Sequence, residues 1–246
     1  MSYLSFSKGT GNAKLKQING KLYTFSLPSG WSCPGAKDCY HKAVVSAVDG
    51  SVFLKEGPNT EFRCFSASQE VAFPAVRIQR QRNYDAIKEA LKNKKAVELL
   101  LNSIPKDASI IRIHVGGDFF SDAYFKAWLK VAEERPNIIF YAYTKSINIW
   151  VNHLDEIPAN FKLNASRGSK YDDLIDKHKL KSAEVVYSVQ EAEDKGLEID
   201  HDDTHAFLKD DSFALLIHGV QAKGSKASAA VKALKGIGSY GKSSKK

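Results

Sequence analysis

The sequence predicts an α/β protein of about six parallel strands with helices outside them, wound as a partial (β/α) barrel. Three observations carry this prediction. Short apolar runs alternate with helical or polar stretches through the second half of the chain, the pattern of a parallel sheet with crossover helices. The 246 residues suffice for one sizeable core. Counting strands gives about six β/α units, short of the eight of a closed barrel. A doubly wound sheet would produce the same alternation, because the pattern does not say whether helices cover one face or both. Residues 1–235 read as one domain, and residues 236–246, rich in Gly, Ser and Lys, as a flexible basic tail.

The elements follow in chain order. Residues 21–27 (KLYTFSL) alternate and favour β structure, and the strand stops at Pro28-Ser29-Gly30. A loop carrying Cys33 and Cys39 comes next. A short helical piece is expected over residues 40–48, then a turn at Asp49-Gly50 and a brief strand over 51–54. Residues 83–101 predict one amphipathic helix capped by Asn83, with Ile87, Leu91, Val97 and Leu101 on its apolar face. Five strands are expected at 110–115, 138–143, 161–165, 184–189 and 213–217, with helices at 122–134 (capped by Ser121), 171–178 and 225–234. No repeat period is visible.

The N-terminus lacks an uninterrupted apolar stretch behind a basic start, so neither a secretory signal nor a membrane span is expected, and the predicted compartment is the cytoplasm. There disulfides rarely persist, and three cysteines cannot all pair. Metal binding by Cys33, Cys39 and Cys64 is the leading reading. Gly30, Pro34 and Gly35 shape a loop in which two sulfurs can converge, while Cys64 arrives on a separate segment, EFRCFS. The spacing C-x5-C-x24-C matches no zinc ribbon or ferredoxin run. Three thiolates with His41 or His114 would make a zinc site; three thiolates alone suit a [4Fe–4S] cluster with one iron left open to a substrate. The bland alternative is that free cysteines are small buried hydrophobes.

In parallel α/β folds ligands bind at the C-terminal ends of the strands, which directs attention to the residues after each run. These are Gly116, Gly117 and Asp118; Tyr143, Thr144 and Lys145; Asn164, Ser166 and Arg167; Ser188 and Gln190; and His218, Gln221, Lys223 and Ser225. Polar groups at one end of every strand suggest a shared pocket. The two glycines also suit an ordinary tight β/α turn. Lys223-Gly224-Ser225 could hold a phosphate but lacks the rest of a Walker loop. His201 and His205, with Asp202 and Asp203, have metal-ligand spacing, although an acidic loop with incidental histidines explains them as well.

The net charge is +8, which favours anionic partners. A nucleic-acid-binding protein, with structural zinc or no metal, would use Lys14, Lys16, Lys145, Arg167 and the basic tail against phosphates, although no RNP, helix-turn-helix or finger motif is present.

LPSGWSCPGAKDC, RIHVGGDFFSDAYFKAW and FYAYTKS, in that order, resemble the bacteriophage gene product 88 family over roughly residues 20 to 235. That resemblance implies a phage-encoded protein acting in the host cytoplasm and carries no reaction with it. A looser similarity is to radical S-adenosylmethionine enzymes, which hold a cubane cluster by three cysteines beyond the first strand of a partial barrel. It implies Cys33, Cys39 and Cys64 as cluster ligands and Gly116-Gly117-Asp118 at the position of the glycine motif that binds S-adenosylmethionine. Here the third cysteine is distant, where those enzymes use C-x3-C-x2-C, and Asp118-Phe119 follows the glycines.

Overall fold

In the computed structural model, which describes residues 3–9 and 15–235, the chain is a mixed α/β protein built on a mostly parallel sheet. In chain order the elements are β1 (Ser7–Lys8), β2 (Leu22–Phe25), β3 (His41–Val45), β4 (Val52–Glu56), α1 (Phe65–Ala72), α2 (Pro74–Lys92), α3 (Ala96–Ser103), β5 (Ile110–Ile113) and α4 (Asp122–Glu134). There follow β6 (Ile139–Thr144), α5 (Ile147–Val151), β7 (Phe161–Ser166), α6 (Asp172–Lys177), β8 (Ser182–Val186), α7 (Val189–Asp194), β9 (Glu198–Ile199), α8 (His205–Leu208), β10 (Phe213–Leu216) and α9 (Lys226–Ala233). The expected tail and Lys14 lie outside the described residues.

The large sheet has the order β1-β2-β5-β6-β7-β8-β10-β9. All its pairs are parallel except β1 with β2. The longer strands β2, β5, β6, β7, β8 and β10 are added in one direction, without the central reversal of a doubly wound sheet, while two-residue β9 lies beyond β10, which is inserted between β8 and β9. β1 and β9 stand at the two edges and do not pair, so the sheet is not closed. The six longer parallel strands match the number expected from the sequence; two-residue β1 and β9 are too short to leave a periodic signal.

Alternation along the strands sorts side chains onto two faces. Ile111, Ile113, Phe140, Ala142, Phe161, Leu163 and Ala165 pack with Ile87, Leu100, Phe125 and Trp128 from the helices. Leu22, Ile110, Tyr141 and Phe213 face the other way, against Ala206 and Phe207 of α8. α4 forms where predicted, with the Ser121 hydroxyl accepting from the Tyr124 N–H at 3.3 Å and Phe125, Trp128, Leu129 and Ala132 buried. No helix among the described residues is long and apolar enough to cross a membrane.

Three local expectations are corrected. Residues 40–48 are not helical: His41–Val45 pair antiparallel with Val52–Glu56, because an alternating, β-branched stretch finds a partner strand across a six-residue connection. The helix predicted over 83–101 is two helices, broken where Lys94 adopts φ 57°. Asn83 is not a cap but a buried mid-helix residue: its Oδ1 accepts from Ser5 N–H at 2.8 Å, and its amide donates to the carbonyls of Ser5 and Ser26, both at 3.1 Å. The helix begins at Pro74, whose missing N–H costs nothing in a first turn.

Candidate metal centre

The cysteine loop lies across the C-terminal ends of the parallel strands. Leu27 N–H donates to Gly116 O at 2.8 Å, joining the exits of β2 and β5. Lys37 and Asp38 N–H both donate to Gly168 O, and Ser169 Oγ donates to the carbonyls of Gly35 and Lys145, which ties the loop to the exits of β6 and β7. Gly35 is required by contact: a Cβ there would stand 1.9 Å from the Lys145 carbonyl oxygen. The Cys64 segment is clamped from the far side, since Arg63 N–H donates to Gln221 Oε1 at 2.8 Å and the Gln221 amide donates back to Arg63 O and to His218 O. His218 itself stands edge-on to Phe65, with ring centroids 5.0 Å apart.

The three thiols lie on these two tied segments. All are free and half-buried. Each is within electrostatic reach of another: negative charge on Cys64 or Cys39 raises Cys33, and charge on Cys64 raises Cys39. Burial is the largest cause for all three, lifting Cys33 well above its ordinary range and Cys39 to about 11. Opposing burial are groups that favour thiolate. Gly30 N–H donates to Cys33 Sγ at 3.3 Å, and the Lys145 charge acts on Cys39. Cys64 occupies the N-cap position of α1 without a side-chain cap hydrogen bond; the nearby N–H groups of Ala67 and Ser66 and the Arg80 charge lower its pKa, against the Glu70 charge that raises it.

The sulfurs are not all within 4.8 Å of one another; among the described residues the one cluster that compact is Asp200, Asp202 and His205. Thiolates sharing one zinc at about 2.3 Å would sit closer than that. Of the two histidines weighed as fourth ligands, His41 is next to the thiols but fully buried, accepting the Cys64 N–H at 3.4 Å and lying 3.6 Å from Glu56. His114 is in the aromatic core beside Phe119 and shares a 2.9 Å hydrogen bond with the Tyr124 hydroxyl.

The remaining predicted residues divide between the two faces. Asp118 is buried at the mouth and accepts from Thr144 Oγ1 (2.6 Å), Lys145 N–H (2.7 Å) and Phe119 N–H (2.7 Å), with its charge acting on Cys33 and Cys39. Gly116 and Gly117 are there too, and the close approach they permit is to the chain itself. A Cβ on Gly116 would meet Ser66 Oγ at 2.1 Å, and one on Gly117, at φ 86°, would meet Leu27 and Ser32 at 2.6 Å. Lys145 is buried, with Nζ donating to Ser166 O and Arg167 O, so it is not the phosphate contact proposed from sequence. Arg167 pairs with Asp176 at 2.6 Å. Tyr143 and Asn164 belong to the opposite face: the Tyr143 ring lies under the Arg112 guanidinium, and the Asn164 amide donates to Ala142 O and Ala206 O.

Asp200, Asp202 and His205 form the compact group just noted, and Asp200 replaces the Asp203 expected there. Asp203 instead bonds Arg112 and the Tyr141 hydroxyl. Within the group Asp202 N–H donates to Asp200 Oδ1, and His205 is held between Asp200 and Glu198. Ser225 caps α9, its Oγ accepting from Ser228 N–H.

The sequence reading missed Ser29, Ser66, Glu70 and Arg80. Arg80 Nη1 donates to Glu70 Oε1 (2.7 Å), Ser66 Oγ (2.6 Å) and Ser66 O (3.0 Å), while Ser29 donates N–H and O–H to the same Glu70 oxygen, both at 3.0 Å. This buried network joins the loop before Cys33 to the helix that starts after Cys64.

Two buried groups give opposite pH dependences in the metal-free protein. Burial lifts the Asp118 carboxyl from 3.8 to about 6, outweighing the hydrogen bonds from Thr144, Lys145 and Phe119. Between those values the folded state holds a proton that the unfolded chain has released, so this contribution to stability falls as pH rises through the window. Burial lowers His114 from 6.5 to about 3, so its contribution rises with pH between those values. Urea unfolding across the window is expected to lose the falling component in Asp118→Asn and the rising one in His114→Gln; slopes equal to wild type in both would contradict the assignment.

The sequence profile of the family described as Gene product 88 matches residues 4–235. The Gene 88 protein of Mycobacterium phage L5 is 27% identical over 154 residues, which is 58% of this chain and 54% of the relative. The Gene 88 protein of Mycobacterium phage D29 gives the same identity and coverage. The matched region thus spans about half the length of these relatives. No solved structure matches. Neither the profile nor the relatives support the looser likeness to radical S-adenosylmethionine enzymes.

Proposed function

Because this chain belongs to the gene product 88 family and is a phage protein, and because neither fact brings a reaction with it, we propose from its own residues that it is an iron–sulfur protein. In this reading Cys33, Cys39 and Cys64 each bind one iron of a [4Fe–4S] cluster, leaving the fourth iron open to an unidentified small molecule. What supports it is that the three thiols come from two chain segments near the strand exits and raise one another's pKa values. They are within each other's electrostatic reach but not all at the spacing of a single ion. A cluster places its irons at separate corners and so accepts thiolates spread more widely than one zinc does.

The chain's own groups have defined parts. The first turn of α1 and the Lys145 and Arg80 charges favour the thiolates that metal binding requires. Gly30 N–H donates to a sulfur, an interaction that tunes cluster potential. Asp118 holds the β6 exit through Thr144 and Lys145. A bound cluster would supply one-electron chemistry. The same reading takes the sheet as a partial barrel, in which strands added in one direction ring a common mouth. S-adenosylmethionine is left out of the proposal, since Ser66, Arg80, Leu27 and Ser32 occupy the space beside Gly116 and Gly117.

The test is anaerobic reconstitution of the full chain with iron and sulfide, followed by metal analysis. A brown protein with about four irons and four sulfides per chain is expected. Stoichiometric zinc binding with no retained sulfide, or no metal at all, would remove the reading.

A further inference from the structure

The β3–β4 hairpin is a separate two-stranded sheet with one face against α1 and the other turned outward. His41, Ala43 and Leu54 lie on the inner face, and His41 and Ala43 are buried. The outer face carries Lys42, Val44, Phe53 and Lys55, with Trp31 from the cysteine loop laid against it. The indole N–H donates to Ala43 O at 3.3 Å, and Lys42 Nζ is 4.2 Å from the indole centroid. Trp31 remains 51% exposed and Phe53 47%. Tyr40 is on the other side of the same ammonium, 5.1 Å from it.

This face is electrostatically unsatisfied. Lys42 and Lys55 are direct cross-strand partners, and like charges so placed repel. Neither makes an ion pair among the described residues, and the nearest strand carboxylate, Glu56, points to the inner face toward His41 and Arg63. An anion bridging the two ammonium groups would relieve the repulsion. Flanking aromatic surface adds a second requirement, because a simple anion would leave it unused. Alternating phosphates and flat bases satisfy both.

We propose that the outer face of this hairpin, with Trp31, Phe53, Lys42 and Lys55, binds single-stranded nucleic acid. Bases stack on Trp31 and Phe53, and phosphates sit at the two lysines. The proposal is independent of the cluster, although Trp31 is two residues from Cys33 and would bring the strand beside the cysteine loop.

Fluorescence anisotropy with labelled oligo(dT) and oligo(U) over a salt series tests it. Both probes should bind, with affinity falling as salt rises. Trp31→Ala should weaken binding roughly 5- to 150-fold, whereas Trp31→Phe keeps a stacking ring and most of the affinity. Lys42→Gln and Lys55→Gln should each reduce the slope of log K against log salt by about 0.7. Changing Lys92, Lys94 and Lys95 to Gln, outside the hairpin, should leave the slope unchanged. No binding at low salt, equal competition by a duplex, a loss in Trp31→Phe as large as in Trp31→Ala, or equal effects of the distant lysines would each overturn the proposal.

Discussion

Replacing any one of Cys33, Cys39 or Cys64 by Ala is expected to reduce retained iron and sulfide after anaerobic reconstitution to near background. The chain supplies only three thiols, so a variant with two has no spare sulfur to recruit. The three losses should also differ from a folding defect. In the metal-free protein the thiols are neutral, their pKa values raised, and Cys→Ala removes a small side chain from a half-buried position. Metal-free variants should therefore unfold near wild type, while stabilisation by the bound centre disappears. If one cysteine can be replaced with no loss of iron, the three-ligand arrangement is wrong.

Arg80→Met is expected to lower stability by about 3–5 kcal/mol, because it strands the buried Glu70 carboxylate with only the Ser29 donors. The partner variant separates charge from packing. In Arg80→Met/Glu70→Leu no uncompensated charge remains, so the double variant should be more stable than Arg80→Met alone, and the two effects should be strongly non-additive. Urea denaturation of the four proteins measures the coupling. A loss below about 1 kcal/mol in the single variant would mean that the pair behaves as a surface ion pair. Cluster content should fall with Arg80 as well, since its network links the loop before Cys33 to the helix start at Cys64.

The parts of the fold that were legible in the sequence are those fixed locally. The KLYTFSL strand, the Ser121 cap and the apolar stripe of α4 each depend on neighbours within a few residues. The β3 strand differs from the expected helix because a run as short as Ala43-Val44-Val45 looks alike in a helix or a strand until the partner strand is known. The start of α2 was visible as Phe73-Pro74, but Asn83 drew the boundary inward because its side chain is as good a cap as it is a bridge between buried backbones.

At the site, most strand exits are legible in the sequence, although β8 ends at Val186, before the expected 189, and side-chain direction follows from the alternation along each strand. Tyr143 and Thr144 are adjacent on β6 and must point to opposite faces, so only Thr144 reaches Asp118; Asn164 is turned away between Leu163 and Ala165 for the same reason. Lys145 looks like a free cation in the sequence because nothing in FYAYTKS shows that the carbonyls of Ser166, at the end of β7, and Arg167, just beyond it, will enclose its ammonium. Arg80 was hidden for a similar reason: RIQRQR reads as a solvated helix face, and only the packing of α1 against α2 turns one arginine inward.

Anomalous X-ray scattering at the iron absorption edge, from crystals of the anaerobically reconstituted protein, tests the central claim most directly. The expected result is one compact iron peak at the exits of β2, β5 and β6, bordered by the sulfurs of Cys33, Cys39 and Cys64. Iron bound elsewhere, or a fully loaded protein in which any of those three sulfurs is not a ligand, would contradict it.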